Sequence, residues 1–171
     1  MLNFNKNKKG VVGSYAECVS IIYLFGEKIM LTTKEKGDIG LTKIIAELTE
    51  NCFNVSIPIA EHLKYDLIVE KNGKMFRVQS KYTSVKKNKI DIKIASSWSN
   101  KAGTYAIKRQ KGDYDVLAAY CPQMKSCYFI HDNSFNNGRS IALKVSKSKS
   151  KYNSRKEKLA SDYEDPNKAF C

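Results

Sequence analysis

The dipeptide Asn72-Gly73 sits between two runs that read as strands, residues 65–71 and 74–82. A two-residue loop of this kind needs positive φ at both positions. It selects a type I′ turn, whose twist matches that of the flanking strands. The turn therefore sets the register: Lys71 opposes Lys74, Val69 opposes Phe76, Leu67 opposes Val78 and Asp66 opposes Gln79. Directly opposed residues share one face of a sheet, with Cβ atoms about 5 Å apart, and residues two apart along a strand share it too. Asp66, Gln79 and Lys81 thus converge on one face, while Tyr65, Leu67, Val69, Phe76 and Val78 form an apolar set on the other.

Such a trio can be a solvated polar face making ordinary cross-strand contacts. Two features point further. Asp is disfavoured inside strands, and the Leu67-Ile68-Val69 run implies partial burial, where a carboxylate beside a lysine calls for a charge partner or a metal. Phosphodiester hydrolysis needs a cation to neutralise developing charge and to lower the pKa of the attacking water. Mg²⁺ is commonly held by one or two carboxylates, with water completing the shell. Asp66 suits the metal and Lys81 the stabilisation of charge or the generation of hydroxide. The Gln79 side-chain carbonyl and the Ser80 backbone carbonyl are further candidate ligands. An amide in a carboxylate's place leaves the site short of negative charge.

Charge narrows the partner. Thirty Lys/Arg against seventeen Asp/Glu give a net +13 over 171 residues, a balance that suits a polyanion; a Lys-rich surface serving solubility alone is the plain alternative. The basic segments lack a strongly apolar opposite face, which argues against membrane binding, and no apolar run is long enough to span a bilayer. The five cysteines are scattered and form no CxxC, and the two histidines, His62 and His131, lie far apart. Neither a disulfide framework nor a structural zinc site is indicated. The N-terminus lacks the pattern of a signal peptide, so the expected location is intracellular, cytoplasmic or nucleoid-associated.

Along the chain, residues 9–26 read as a loop and an amphipathic helix ending near Gly26. Residues 36–51 read as a second helix entered through KGDIG, with Leu41, Ile44, Ile45 and Leu48 on one face. The KGxxG shared by the two suggests duplication or simply two helix entries. Strand patterns follow at 53–59, with Pro58 marking an edge or an end, then at 65–82, 89–96, 115–121, 127–132 and 140–145. Residues 146–158 are basic and polar, and 162–170 suggest a short terminal helix. Helices followed by strands indicate an α/β (α+β) fold. The expected layout is a single domain, 1–171, with a helical extension at 1–33, a catalytic core at 34–145 and a basic segment at 146–171.

Asp, then a hairpin, then Gln-x-Lys resembles the PD-(D/E)XK nuclease superfamily in its variant with Gln in the (D/E) place. The combination of KGDIG, Glu61-His62 before Asp66, and Gln79-Ser80-Lys81 is similar to the homing endonucleases of that superfamily associated with group I introns. The resemblance covers most of residues 34–130. It implies a central mixed β-sheet flanked by helices, with Asp66 as the motif aspartate, Gln79 at the variant acid position, Lys81 as the catalytic lysine, and Mg²⁺ (or Mn²⁺) as cofactor. It also implies an acid on the preceding helix. Leu41 stands where that glutamate would be, with Asp38 one turn earlier as the candidate ligand and Glu47 further on; Asp38 is equally well placed as an acid near a helix N-terminus. Glu61 and His62 could brace the strand entrance instead. Glu17 is a lesser candidate on the first helix.

Double-stranded DNA is the expected partner. Lys86, Lys87 and Lys89 follow the hairpin, and Lys101, Lys108, Arg109 and Lys111 make a second basic group beside Trp98 and Asn100. The stretch 96–111 is the candidate base reader, or else a hydrophilic loop. A long palindromic target would call for a dimer or tetramer. No P-loop, GxGxxG, HNH, GIY-YIG or LAGLIDADG pattern occurs, so no nucleotide cofactor is expected. The expected activity is a site-specific, metal-dependent endonuclease of homing type making a double-strand break. Alternatives are a restriction- or repair-type nuclease on the same core, and a catalytically silent DNA-binding protein.

Overall fold

A computed structural model describes residues 21–24, 27–100, 103–107, 109–135, 139–147 and 157–171. The chain divides into two compact units, residues 1–30 and 31–171. In the first, strands β1 (Ile21–Leu24) and β2 (Glu27–Met30) form an antiparallel hairpin pairing Ile21 with Met30 and Leu24 with Glu27. The helix expected to end near Gly26 is therefore replaced by a strand over Ile21–Leu24. A β-branched and aromatic run such as Ile21-Ile22-Tyr23 favours a strand over a helix. Glu17 lies outside the described residues.

The second unit opens with helix α1 (Thr33–Glu50). Its start is a capping box: the Thr32 side chain accepts from the Glu35 N–H, and Glu35 Oε2 accepts from the Thr32 N–H at 2.7 Å. The Thr-x-x-Glu signature sits ahead of KGDIG, so Gly37 and Gly40 are interior helix residues and not its entry. Gly40 has a packing reason. A Cβ there would lie 3.3 Å from Tyr82 Cβ and 3.4 Å from the Lys81 carbonyl oxygen. The far end of α1 is held by the same hairpin, because Lys71 Nζ donates to the Asn51 carbonyl at 3.2 Å and lies over the Phe53 ring.

The main sheet has five strands in the order β11-β10-β5-β4-β3. β3 (Asn54–Ser56) is the edge, followed at once by Pro58. β4 (Leu67–Lys71) and β5 (Lys74–Tyr82) pair in the expected register, Leu67 with Val78 and Lys71 with Lys74. Asn72 and Gly73 have φ of 52° and 74°, the two positive values a type I′ turn requires. β10 (Val116–Cys121) lies parallel to β5, Val116 beside Val78 and Ala119 beside Lys81, and antiparallel to β11 (Ser126–His131). Every residue of β10 is buried, which explains its unbroken apolar run.

Two clusters fill the faces of this sheet. On one, α1 packs Ile44 and Leu48 onto Leu67, Val69, Val78, Val116 and Ala118. On the other, Leu117, Ala119 and Ile130 meet Ile90, Ile92, Ile141 and Leu143. Those last four come from a three-stranded sheet of β6 (Val85–Lys86), β7 (Lys89–Lys93) and β12 (Ser140–Lys144). The fold is thus a mixed sheet with a helix on one face and, among the described residues, strands on the other where helices were expected. Tyr65 packs with this second cluster rather than with Leu67 and Val69, because the chain has already left the regular strand there. β8 (Ser96–Asn100) and β9 (Gly103–Ile107) form a separate ribbon within 96–111. The C-terminal helix expected at 162–170 is two 3₁₀ turns, Ala160–Tyr163 and Pro166–Lys168. Phe170 follows them into the first cluster, against Phe53, Phe76 and Phe129.

The close approach at Gly40 gives a test. Gly40→Leu should destabilise the protein by about 1–3 kcal/mol through overpacking. Gly37→Ala, with open space around its Cβ, should be neutral or stabilising by up to ~1 kcal/mol. Urea midpoints of the two variants would show it; equal midpoints would contradict the contact.

Candidate active site

β4 peels away from β5 at Asp66. Its N–H donates to the Val78 carbonyl at 2.8 Å, one residue out of step with the ladder. The Ser80 N–H, which a longer β4 would have paired, instead donates to Asp66 Oδ2 at 2.7 Å. The Ser80 hydroxyl donates to the same oxygen at 2.7 Å, and Gln79 Nε2 donates to it as well. Gln79 Nε2 also donates to the Ser80 carbonyl at 3.3 Å. One carboxylate oxygen is therefore surrounded by three donors, while no hydrogen bond from a described residue falls on Asp66 Oδ1.

Lys81 completes the group. It is half-buried beside β10, and burial pulls its ammonium below the ordinary lysine range while the charge of Asp66 pulls it back up. Desolvation penalises the charged form, and a nearby carboxylate favours it. The lysine is thus more easily deprotonated than one on the surface.

The chain matches the PD-(D/E)XK endonuclease family profile over residues 31–166. It belongs to the PD-(D/E)XK endonuclease family. A bacterial homing endonuclease, I-Ssp6803I, shares the fold, with a TM-score of 0.58 at 22% identity over 77% of this chain and 88% of that one. No curated protein matches the chain by sequence. As a PD-(D/E)XK endonuclease it is a hydrolase whose substrate class is DNA.

PD-(D/E)XK nucleases generally work with divalent metal ions, and the donors present fit a hard cation of the Mg²⁺ or Mn²⁺ class. Asp66 Oδ1, the Ser80 carbonyl and, once its amide is turned, the Gln79 carbonyl would hold it. Only one of these carries charge, and no group of three His, Cys, Asp or Glu side chains comes together among the described residues. Asp38 is exposed on α1, two residues from the buried Gly40 and so on the opposite side of the helix. Its backbone carbonyl accepts from the Thr42 hydroxyl at 2.9 Å. Leu41 and Glu47 are half-buried; Leu41 packs on the first cluster and Glu47 reaches Asn51. Glu61 and His62 are exposed in the loop before Asp66.

Among the basic candidates, Lys86, Lys87 and Lys89 are exposed on the β6–β7 turn, where Lys87 and Asn88 both have positive φ. Asn88 fastens that turn to Ser146 through a bond to its hydroxyl at 2.9 Å. Lys111 is also exposed. Trp98 and Asn100 lie in β8, and their side chains, like Lys101 and Lys108, fall outside the described residues. Arg109 differs from expectation. Its guanidinium is sandwiched between Tyr114 and Phe135, 4.6 Å from each ring centre, and donates to the Tyr114 carbonyl and Asp132. With its side chain only 10% exposed, Arg109 fastens the chain after β9 instead of reaching for phosphate.

Two neighbours of the site were not singled out from the sequence. The Ser80 hydroxyl was overlooked because alternation puts residue 80 on the other face of β5. Asp66 lies alongside the strand and is reached from both faces. Arg77, two residues before Gln79, forms a two-point ion pair with Asp115. Burial works to raise the Asp115 pKa, but the hydrogen bonds and charge of Arg77, aided by His131, more than offset it and hold the carboxyl low.

The depressed Lys81 pKa has a signed consequence. Between its folded value and the ~10.4 of an unfolded lysine, the unfolded chain binds more protons, so stability rises with pH. Lys81→Met should therefore be more stable than the natural protein near neutrality, and this advantage should shrink as pH rises toward about 10. Urea titrations of metal-free protein across that range test it; an advantage independent of pH would contradict the buried charge.

Proposed function

We propose that the protein is a metal-dependent, site-specific DNA endonuclease that makes double-strand breaks in a homing role. The observation that carries this reading is the meeting of Asp66, Gln79, Ser80 and Lys81 in a chain of the PD-(D/E)XK family. A bound Mg²⁺ or Mn²⁺ would neutralise charge at the scissile phosphate and make the attacking water more acidic. Asp66 would anchor the ion, its carboxylate held in orientation by the Ser80 N–H and hydroxyl. Lys81 stands beside the reacting phosphate as a stabiliser of developing negative charge. Burial, which lowers its pKa, also eases the loss of its proton relative to a surface lysine.

Phosphate attraction would come from the exposed Lys86, Lys87, Lys89 and Lys111, within a net charge of +13. The β8–β9 ribbon is the candidate base reader, since a two-stranded ribbon fits the major groove of B-DNA. The homing role rests on the likeness to a homing endonuclease together with the KGDIG, Glu61-His62 and Gln-Ser-Lys pattern. A dimer or tetramer would let one chain address both halves of a symmetric site. Such an enzyme would work where DNA is, at the nucleoid.

Asp66→Ala and Lys81→Ala should each lower cleavage by at least about a hundredfold, the scale of losing one electrostatic or acid–base catalyst. Salt-sensitive DNA binding should persist in both. Cutting a plasmid library in the presence of Mg²⁺ and sequencing the ends reads activity, site and overhang together. Unimpaired cleavage by both variants would sink the assignment; tight binding with no ends from the natural protein would point to a silent binder. Ends at a short recurring site would favour a restriction-type enzyme.

A further inference from the structure

The amide of Gln79 occupies a telling position. Its nitrogen donates at once to Asp66 Oδ2 and to the Ser80 carbonyl. Those groups, one carboxylate and one backbone carbonyl, are the pair through which a hard cation would be held. An amide's two ends have nearly the same shape, but both neighbours here are acceptors, so only the NH₂ end satisfies them. The NH₂ group, through the partial positive charge on its two hydrogens, bridges two oxygens that would otherwise repel one another.

We propose that the Gln79 amide is a resident stand-in for the metal, and that the ion enters by displacing it. This deepens the metal reading given above and rests on it. In the metal-free protein the bridge completes a set of three donors on Asp66 Oδ2 and closes the strand edge. On metal entry the amide would leave both oxygens, and a half-turn of its end would turn Oε1 toward an ion held by Asp66 Oδ1 and the Ser80 carbonyl. The Ser80 N–H and hydroxyl stay on Asp66 Oδ2 throughout, so the carboxylate keeps its place while its partner is exchanged. A glutamate at position 79 could not play this part. It offers no donor, and without metal it would set two carboxylates against each other.

The bridge can be watched directly. In ¹⁵N-labelled metal-free protein, the Gln79 side-chain NH₂ signals are identified by their loss in Gln79→Met. They should move in Asp66→Ala and, in the natural protein, move on titration with Mg²⁺, with the same midpoint as the Mg²⁺-induced rise in Tm. Gln79→Glu should have a lower Tm than the natural protein in chelator, and Mg²⁺ should raise its Tm by more, because the ion then relieves carboxylate repulsion as well. A rise in Tm with Mg²⁺ that leaves the Gln79 NH₂ signals in place would overturn the displacement. So would a Gln79→Glu variant as stable as the natural protein in chelator. If Mg²⁺ shifts neither Tm nor signals in any of these proteins, the metal reading itself fails, while the response of the NH₂ signals to Asp66→Ala still reports the bridge.

Discussion

The register of one hairpin organises this protein. The type I′ turn at Asn72-Gly73 sets Leu67 across from Val78, and a shift of one residue would exchange the two faces of both strands. Leu67, Val69, Phe76 and Val78 would then leave the cluster under α1, and the polar residues would enter it. The same hairpin holds the helix at two points, through the close approach of Gly40 to Lys81 and Tyr82 and through the Lys71 bond at the helix C-terminus. Core, helix and site therefore share one constraint.

The site exists because β4 stops one residue early. Where the strands part, β5 has backbone without a strand partner, and a buried N–H left unpaired would be costly. The Asp66 carboxylate supplies the missing acceptor at Ser80. An aspartate is unfavourable in the middle of a strand, yet it is well suited to the point where a strand ends. Structural need and catalytic placement thus coincide: the bonds that close the sheet edge also fix the carboxylate. On the far side of β5, parallel pairing with β10 buries Lys81 next to Ala119 and loosens its proton.

The basic surface divides by what surrounds each residue. Lys86, Lys87 and Lys89 stand on a tight turn fastened to Ser146 and remain exposed, as phosphate contacts must. Arg109, in an equally basic stretch, is taken up by two aromatic rings and Asp132. Burial of a guanidinium between rings with an acid at its edge is a packing device, since it satisfies charge and apolar surface together. Local composition does not distinguish these two fates, because the rings and the acid come from positions 114, 132 and 135.

Turn chemistry and alternation are local, and for that reason the hairpin register, the convergence of Asp66 with Gln79, and the strands at 116–121, 126–131 and 140–144 were legible in the chain alone. The PD-(D/E)XK pattern was legible for the same reason, being carried by residues close in sequence. The capping box at Thr32 was equally local and was passed over for the more conspicuous glycines. Other features depended on distant segments meeting. Nothing near residue 41 tells that the helix crosses β5 so closely that residue 40 has room only for glycine, nor that Asp38 then turns outward. Strands β6, β7 and β12 cover the face where helices were expected because their buried isoleucines and leucines meet β10 and β11 across the sheet. The three donors on Asp66 Oδ2 required the carboxylate to lie beside β5 and not on its face. Short-range conformational preference acts between neighbours in sequence and can be read from it; side-chain environment is set by contacts across the fold, and appears only when the chain has closed on itself.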